Sequence, residues 1–430
     1  MTKGQPDVHP GGQFHVSRLP IKSSCGGVDG LWYNIGKKME KTRISIQRAL
    51  HYESEHLRDA LNKSLLLLGS LEKIIRPHSR ILVKINHLSP PSLPEDAIIT
   101  HPALTRELIH TLLDIGCDIT VGDDIQSKNR DGFLISGYKK MCSDMGVKLV
   151  NLKEFGFREI PCKGRILTKT YISSLVLDCD FLINLPKLKT HSFTGFTGAV
   201  KNMYGVIPHG LRCNYHRKYP KSSIFGQMLV DIYSCVVPHL NIMDAIVAME
   251  GEGPSAGVAK KVGLILASQD GVALDAIASK IIGLDPMQIM TIKEAAERGL
   301  GKAQMADIEI AGENIPDIQV KDFKTSTIAV SLVHRKVPAF LHGFIQAQLT
   351  LIPRVLTKKC TACKECVDIC PTGSAQIHGG KARIDKSRCI HCMCCHEACR
   401  FRAIKLGQRP LGRMLRLLAA AYKKMLAHFS

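Results

Sequence analysis

The sequence predicts an α/β domain with a mainly parallel sheet and helices on both faces, followed by a small, cysteine-rich α+β module. Three observations carry that prediction. From residue 43 to about residue 325, short β-branched runs alternate with longer stretches of helical period, the pattern of a parallel sheet with crossover helices. Nine of the sixteen cysteines then crowd into residues 360–399. At 430 residues the chain also exceeds what a single hydrophobic core usually serves.

The predicted strands are Arg43–Arg48, Arg80–Asn86, Cys117–Gly122, Asp180–Leu185, Leu240–Asp244, Val262–Ser268 and Asp307–Ala311. Helical periods fill Glu55–Ile75 and Ala103–Ile115, the second opened by Pro102 at a first helical position. Residues 1–42 are rich in Gly, Pro and Ser without periodicity and read as an unstructured or spurious upstream extension. Residues 326–357 read as a helical connector, 358–408 as the cysteine-rich module and 409–430 as a basic amphipathic helix. On that last helix Leu411, Met414, Leu415, Leu418, Tyr422, Met425, Leu426 and Phe429 share a face. Such a helix can lie on a membrane, but docking on its own protein is the favoured reading.

Composition is that of a soluble globular protein, with 45% apolar and 22% charged residues. No apolar run reaches the ~20 residues that span a bilayer, and no signal peptide is visible, so a cytoplasmic location is expected. The other seven cysteines are scattered singly, a distribution that suits metal binding in a reducing cell rather than a disulfide framework. The formal charge of +20 implies an acidic counterpart of some kind.

Two motifs organise the cysteine-rich segment: Cys360-x2-Cys363-x2-Cys366-x3-Cys370-Pro371 and Cys389-x2-Cys392-x2-Cys395-x3-Cys399. Each has the bacterial ferredoxin spacing, in which three thiolates on a tight loop grip three irons of a cubane and the fourth ligand comes from the other motif. The module is therefore expected to be ferredoxin-like and to hold two [4Fe–4S] clusters. The expected ligand sets are Cys360, Cys363, Cys366 with Cys399, and Cys389, Cys392, Cys395 with Cys370. A pair of zinc sites would need only four ligands each and would leave the twice-repeated third cysteine and x3 offset unexplained. Arg400 replaces the proline of the first motif, and Cys394 is an extra thiol, read as a spectator.

Lys358, Lys359, Lys364, Lys381, Arg383, Lys386, Arg388, Arg402, Lys405 and Arg409 surround this module. Two clusters of about −2 each leave the chain near +16. Positive charge of this kind stabilises a reduced cluster and steers an acidic ferredoxin or flavodoxin into contact; a merely solvated basic face is the alternative.

In open parallel sheets ligands bind beyond the carboxyl ends of the strands. Lys84 and Asn86, Asp123 and Asp124, Lys187, Lys189 and His191, Asp244, and Asp270 all follow or close predicted strands, so they are expected to line one crevice. The richest segment runs Asn184-Leu-Pro-Lys-Leu-Lys-Thr-His191 through Thr197 and Gly198 to Lys201 and Asn202. Lysines, hydroxyls and glycine-flanked amides at a helix start would cradle phosphate or carboxylate. Lys84, Asn86, Lys187, Thr197, Lys201 and Asn202 are thus the candidate anion site. Lys189, His191, Asp123 and Asp244 are the catalytic candidates, with His216 a further proton carrier. Asp270 also suits a helix N-cap.

These stretches resemble the domain-of-unknown-function 362 family: Leu82-Val-Lys-Ile-Asn86, Thr100-His-Pro102, Gly122-Asp-Asp124, Pro186-Lys-Leu-Lys-Thr-His191, Thr197-Gly-Ala-Val-Lys-Asn202, Met243-Asp-Ala245 and Ser268-Gln-Asp270. The resemblance spans about residues 43–320 and implies an α/β domain often followed by a ferredoxin-type domain, without implying a substrate.

Three functions compete. The first is a redox enzyme whose clusters serve an anionic small molecule in the crevice. The second is an electron-transfer adaptor that binds an acidic carrier; no G-x-G-x-x-G follows a predicted strand to mark a nicotinamide site. The third is a structural or sensory iron–sulfur protein on nucleic acid, ranked last because aromatics are 5% of the chain and do not interleave with the basic residues.

Overall fold

The computed structural model describes residues 41–88, 92–125, 131–325, 348, 350–407 and 409–414. The expected upstream extension up to residue 40, connector residues 326–347 and the terminal helix from residue 415 on lie outside the described residues.

All seven predicted strands form, as β1 (Thr42–Arg48), β2 (Arg80–Ile85), β3 (Asp118–Asp123), β7 (Phe181–Leu185), β10 (Leu240–Glu250), β11 (Val258–Ser268) and β12 (Ile308–Gly312). Five more appear between them: β4 (Lys148–Asn151), β5 (Phe157–Pro161), β6 (Lys169–Ser173), β8 (Lys187–His191) and β9 (Gly195–Thr197). The large sheet runs β12-β1-β11-β10-β7-β2-β3-β4, with β8 and β9 added beside β10; β5 and β6 make a separate hairpin. The pairs β7–β2, β2–β3 and β3–β4 are parallel, as are β10 with β7 and β1 with β12. Only β11, flanked by β1 and β10, is antiparallel along this path.

Side-chain alternation along the strands sorts the core into two layers. Ile81, Val83 and Ile85 of β2 pack with Leu57, Leu61, Leu104 and Leu108 of the helices Ser54–Leu67 and Pro102–Asp114. Leu82 points the other way, into a layer with Phe225, Leu229, Val272 and Ile277 from the helices Ser222–Cys235 and Gly271–Ile281. Each such fully buried aliphatic side chain stabilises the fold by about 1.5–3 kcal/mol relative to exposure.

The expected helix Glu55–Ile75 stops at Leu67, because Gly69 turns the chain at φ +109 before a short 3₁₀ turn, Leu71–Lys73. The helix predicted from Pro102 starts there, with the His101 ring accepting from the Ala103 amide at 3.2 Å. The end of the expected connector is not helical: β13 (Ile352–Val355) pairs antiparallel with β16 (Ile404–Gly407). In the cysteine-rich module they join the hairpin of β14 (Ala375–His378) and β15 (Lys381–Ile384), the α+β content expected there. Among the described residues, no helix is long and apolar enough to cross a membrane.

Candidate functional site

The crevice expected at the strand ends is divided into several separately bonded groups. Lys84, fully buried on β2, meets Asp123 of β3 at 2.8 Å and donates to the Ile85 carbonyl at 2.7 Å. The Asp123 carboxylate also accepts from the backbone amides of His87 and Asp124, at 2.7 and 2.8 Å. Gly205 passes so close that a Cβ there would lie 2.7 Å from Asp123 Oδ1 and 2.9 Å from Lys84 Nζ. Asn202 donates to Asn184 at 2.7 Å, and Asn184 to Asn241 at 2.9 Å, an amide chain across β7 and β10. Asn86 anchors its loop through its backbone N–H, which donates to Thr100 Oγ1 at 3.0 Å.

Pro186 ends β7, and the next five residues start a new strand rather than the helix-entering loop the glycines suggested. The long strand β10 makes this possible. Its first residues pair with β7, it is irregular between Ala245 and Val247, and its second half pairs with β8. Asp244 therefore lies inside a strand, opposite Lys187, and their side chains form an ion pair of 2.8 Å with no exposure. Tyr52 OH donates to the same carboxylate at 2.8 Å and the His101 amide donates at 2.9 Å.

The helix Ala199–Asn202 does not offer its N-terminus to a ligand. Asp275 already accepts from the Ala199 and Val200 amides at 2.5 and 3.0 Å, and a Cβ on Gly198 would lie 2.0 Å from its carboxylate. Asp270 caps the helix Gly271–Ile281 by accepting from Val272 and Ala273. Because β11 runs antiparallel, this places it at the opposite end of the sheet from the other candidates.

Lys189, His191, Thr197 and Lys201 remain together at the tip of β8 and β9, where the cysteine-rich module covers them. Lys189 donates to the Ile98 carbonyl at 2.7 Å, and Thr197 stands opposite it across the β8–β9 ladder. The His191 Nδ1 accepts from the Phe193 and Thr194 amides at 3.0 and 3.3 Å, so the ring proton sits on Nε2. That nitrogen faces Glu397 Oε1 at 3.5 Å. Glu397 belongs to the second cysteine motif, in the helical turn Cys394–Glu397, and its carbonyl accepts from Ser255 Oγ at 2.6 Å. The neighbouring His396 donates from Nδ1 to Ile404 at 2.6 Å, which leaves a buried Nε2 without a hydrogen-bond partner.

Burial dominates the electrostatics here. It pushes the Lys189 ammonium well below its usual range, aided by Lys201 and Lys187, and lowers Lys201 as well. His191 is likewise held well below the ordinary imidazole value, by burial and then by Lys201, while burial raises Glu397. His216, packed 4.4 Å from the Phe225 ring, is pushed down to about 3. Desolvation thus works against charge on Lys189, Lys201, His191 and Glu397 alike, and the His191 Nε2 proton is directed at the Glu397 carboxyl.

The cysteines separate into two groups. Cys360, Cys363, Cys366 and Cys399 line one recess with Val355, Ile377 and Phe401. The Cys366 thiol feels Cys399, Cys363 and Cys360, whereas Cys395 feels Cys392, Cys389, Cys366 and Cys370. Cys370 contacts Ser374 at 3.2 Å. Among the described residues, no group of three or more His, Cys, Asp or Glu closes on a single metal ion. Cys394 is buried on the side of Glu397, Cys213 and Lys201.

A family model described as a domain of unknown function (DUF362) matches residues 81–280, and one described as a 4Fe-4S dicluster domain matches residues 352–400. A thylakoid-associated protein of Synechocystis sp. is 32% identical over 260 residues, 60% of this chain and 79% of that protein. The chain belongs to the DUF362 family. Its dicluster domain makes it an iron–sulfur electron-transfer protein. Among solved structures, the lactate racemase apoprotein from Thermoanaerobacterium thermosaccharolyticum matches with a TM-score of 0.34 at 12% identity, over 54% of this chain and 55% of that one. A protein from Thermotoga maritima gives 0.33 at 14% identity, over 57% and 58%. The chain thus spans little more than half of either structure.

Several participants in this DUF362 site are absent from the sequence-level candidates. Glu397 and His396 hid inside the ferredoxin spacing, where they read as filler between Cys395 and Cys399. Tyr52 precedes the first helix with no motif around it, yet its hydroxyl contacts both Asp244 and Lys187. Arg212, which pairs with Asp124, carried no signal beyond its charge.

Proposed function

We propose that this DUF362 protein is an iron–sulfur redox enzyme that holds two [4Fe–4S] clusters and binds a small anion between Lys189, His191, Thr197 and Lys201. The observation that carries the proposal is the seating of the second cysteine motif on that site, through His191–Glu397 at 3.5 Å and Ser255–Glu397 at 2.6 Å. Cys360, Cys363, Cys366 and Cys399 would hold one cluster, and Cys389, Cys392, Cys395 and Cys370 the other; the shared recess and the mutual influence of these thiols fit that division. When bound, the clusters supply single electrons. The chain's own residues would do the rest: Lys189 and Lys201 balance the ligand's charge, Thr197 orients it, and His191 holds a proton at Nε2. The surrounding burial excludes water.

Lys84 with Asp123, Lys187 with Asp244, and Asn202 with Asn184 then act as the frame, because their polar groups are committed to these partners. Exposed Lys358, Lys359, Lys364, Arg383, Lys386 and Arg388 would receive an acidic ferredoxin or flavodoxin on the side of the first motif, in a cytoplasmic setting. Anaerobic purification with iron and sulfide analysis tests the cofactor content. About eight irons per chain are expected, and a zinc-loaded, colourless protein contradicts the proposal. Lys201→Ala and His191→Gln should abolish turnover of the native substrate while the iron content stays at the wild-type value; loss of iron would assign these residues to cluster assembly instead.

A further inference from the structure

Two of the scattered cysteines meet. Cys162 follows β5, and Cys235 ends the helix Ser222–Cys235, more than seventy residues later. Both thiols donate to the same oxygen, the Asp231 carbonyl, at 3.4 and 3.2 Å. Cys162 is buried and Cys235 is half-buried at the surface of the helix. Each thiol is also the leading influence on the other's acidity: a hydrogen bond from Cys235 lowers Cys162, and Cys162 raises Cys235.

The surroundings hold this pair in place. The Asp231 carboxylate accepts from the backbone amides of Arg165, Ile166 and Leu167 at 2.8–2.9 Å and pairs with Arg298. A Cβ on Gly164 would collide with it at 2.3 Å, so the strap 162–167 lies flat against the helix. The strap cannot drift away from Cys235 without breaking these bonds. The same helix carries Phe225, which packs against His216 and Phe193 beside the proposed anion site.

We propose that Cys162 and Cys235 form a reversible dithiol–disulfide site that responds to small-molecule disulfides. The half-buried Cys235 passes its proton to the neighbouring Cys162 thiolate and attacks one sulfur of a low-molecular-weight disulfide, expelling one thiolate. Cys162 then attacks the Cys235 sulfur of the mixed disulfide and expels the second. Two cysteine thiols are oxidised to one disulfide, one disulfide is reduced to two thiols, and the two protons pass to the departing thiolates. The cross-link joins the strap to the helix and closes a loop of over seventy residues, which restricts the unfolded chain and stiffens the wall bearing Phe225.

The test equilibrates the native, cluster-loaded protein anaerobically in glutathione buffers from fully reduced to fully oxidised, followed by differential alkylation and peptide mapping. Cys162 and Cys235 should lose alkylation together with one midpoint and reappear as a single linked peptide pair. The oxidised form should melt on the order of 5 °C higher. Cys235→Ser, at the more exposed position, should abolish both the linked pair and the melting shift at unchanged iron content, and Cys162→Ala serves as the independent second variant. The site is refuted if both thiols stay alkylatable across the whole series, or if wild-type Cys235 accumulates only as the glutathione mixed disulfide.

Discussion

The most discriminating perturbation of the frame is to break the Lys187–Asp244 pair from each side in turn. Both groups are fully buried, and removing one partner of such a pair typically costs about 3–5 kcal/mol because the other charge is stranded. The two halves are not equivalent. In Lys187→Met the Asp244 carboxylate keeps the Tyr52 hydroxyl at 2.8 Å and the His101 amide at 2.9 Å, so the cost should fall near the lower end, about 3 kcal/mol. In Asp244→Ala the Lys187 ammonium keeps only the Tyr52 hydroxyl at 2.9 Å, and Tyr52 and His101 both lose an acceptor, which sets the cost near about 5 kcal/mol. The double variant Lys187→Met/Asp244→Ala should lose less than the sum, since no charge is left stranded. Anaerobic urea unfolding, followed by both circular dichroism and cluster absorbance, measures all three. Equal costs on the two sides, or a cost below about 1 kcal/mol for Asp244→Ala, would refute the assignment of this pair to the frame.

Other consequences are equally open to measurement. Cys399→Ala should halve the iron content and remove the cluster assigned to the first motif, whereas loss of the other cluster would contradict the crossed ligand division; paramagnetic resonance of the reduced protein distinguishes them. Gly205→Ala forces a methyl group to within 3 Å of both Lys84 and Asp123 and should destabilise the fold by about 1–3 kcal/mol, read from the urea midpoint. Burial pushes the Asp275 carboxyl up to about 7, against two opposing amide bonds, from an ordinary value of 3.8. The folded state therefore holds a proton that the unfolded chain has released, and stability should fall as pH rises from about 4 to about 7. Asp275→Asn should flatten that slope in a series of melting temperatures; an unchanged slope places its origin elsewhere.

The large sheet was legible because its central strands are short apolar runs with a single polar residue just before the last position, as Ile81–Ile85 with Lys84 and Phe181–Leu185 with Asn184 show. The strand Lys187–His191 was not. Its alternating lysines carry the chemistry of an exposed loop, and only the pairing with the second half of β10 and the covering module make a strand of them. Charge in the sequence also gave no sign of commitment. Lys84, Lys187 and Lys189 look alike, yet the first two are matched by carboxylates from the strands paired beside them and the third only by a carbonyl. Asp275 takes the helix N-terminus that the flanking glycines had suggested for a ligand, a contact across 76 residues that no local pattern encodes. Cysteine spacing, by contrast, is set by local loop geometry, so the two motifs could be read directly. Their junction with the α/β domain could not, because Glu397 acquires its meaning only from His191, more than two hundred residues away.

The central claim is that the second cysteine motif lies against the Lys189–His191–Lys201 site. An anaerobic redox titration followed by paramagnetic resonance, on wild type and Lys201→Ala, tests it most directly. Removing a positive charge beside one cluster should lower the reduction potential of that cluster alone, at unchanged iron content. Phosphate or acetate binding at the site should perturb the same signal in wild type and not in the variant. Two potentials that both ignore Lys201→Ala, or that shift together, would contradict the account.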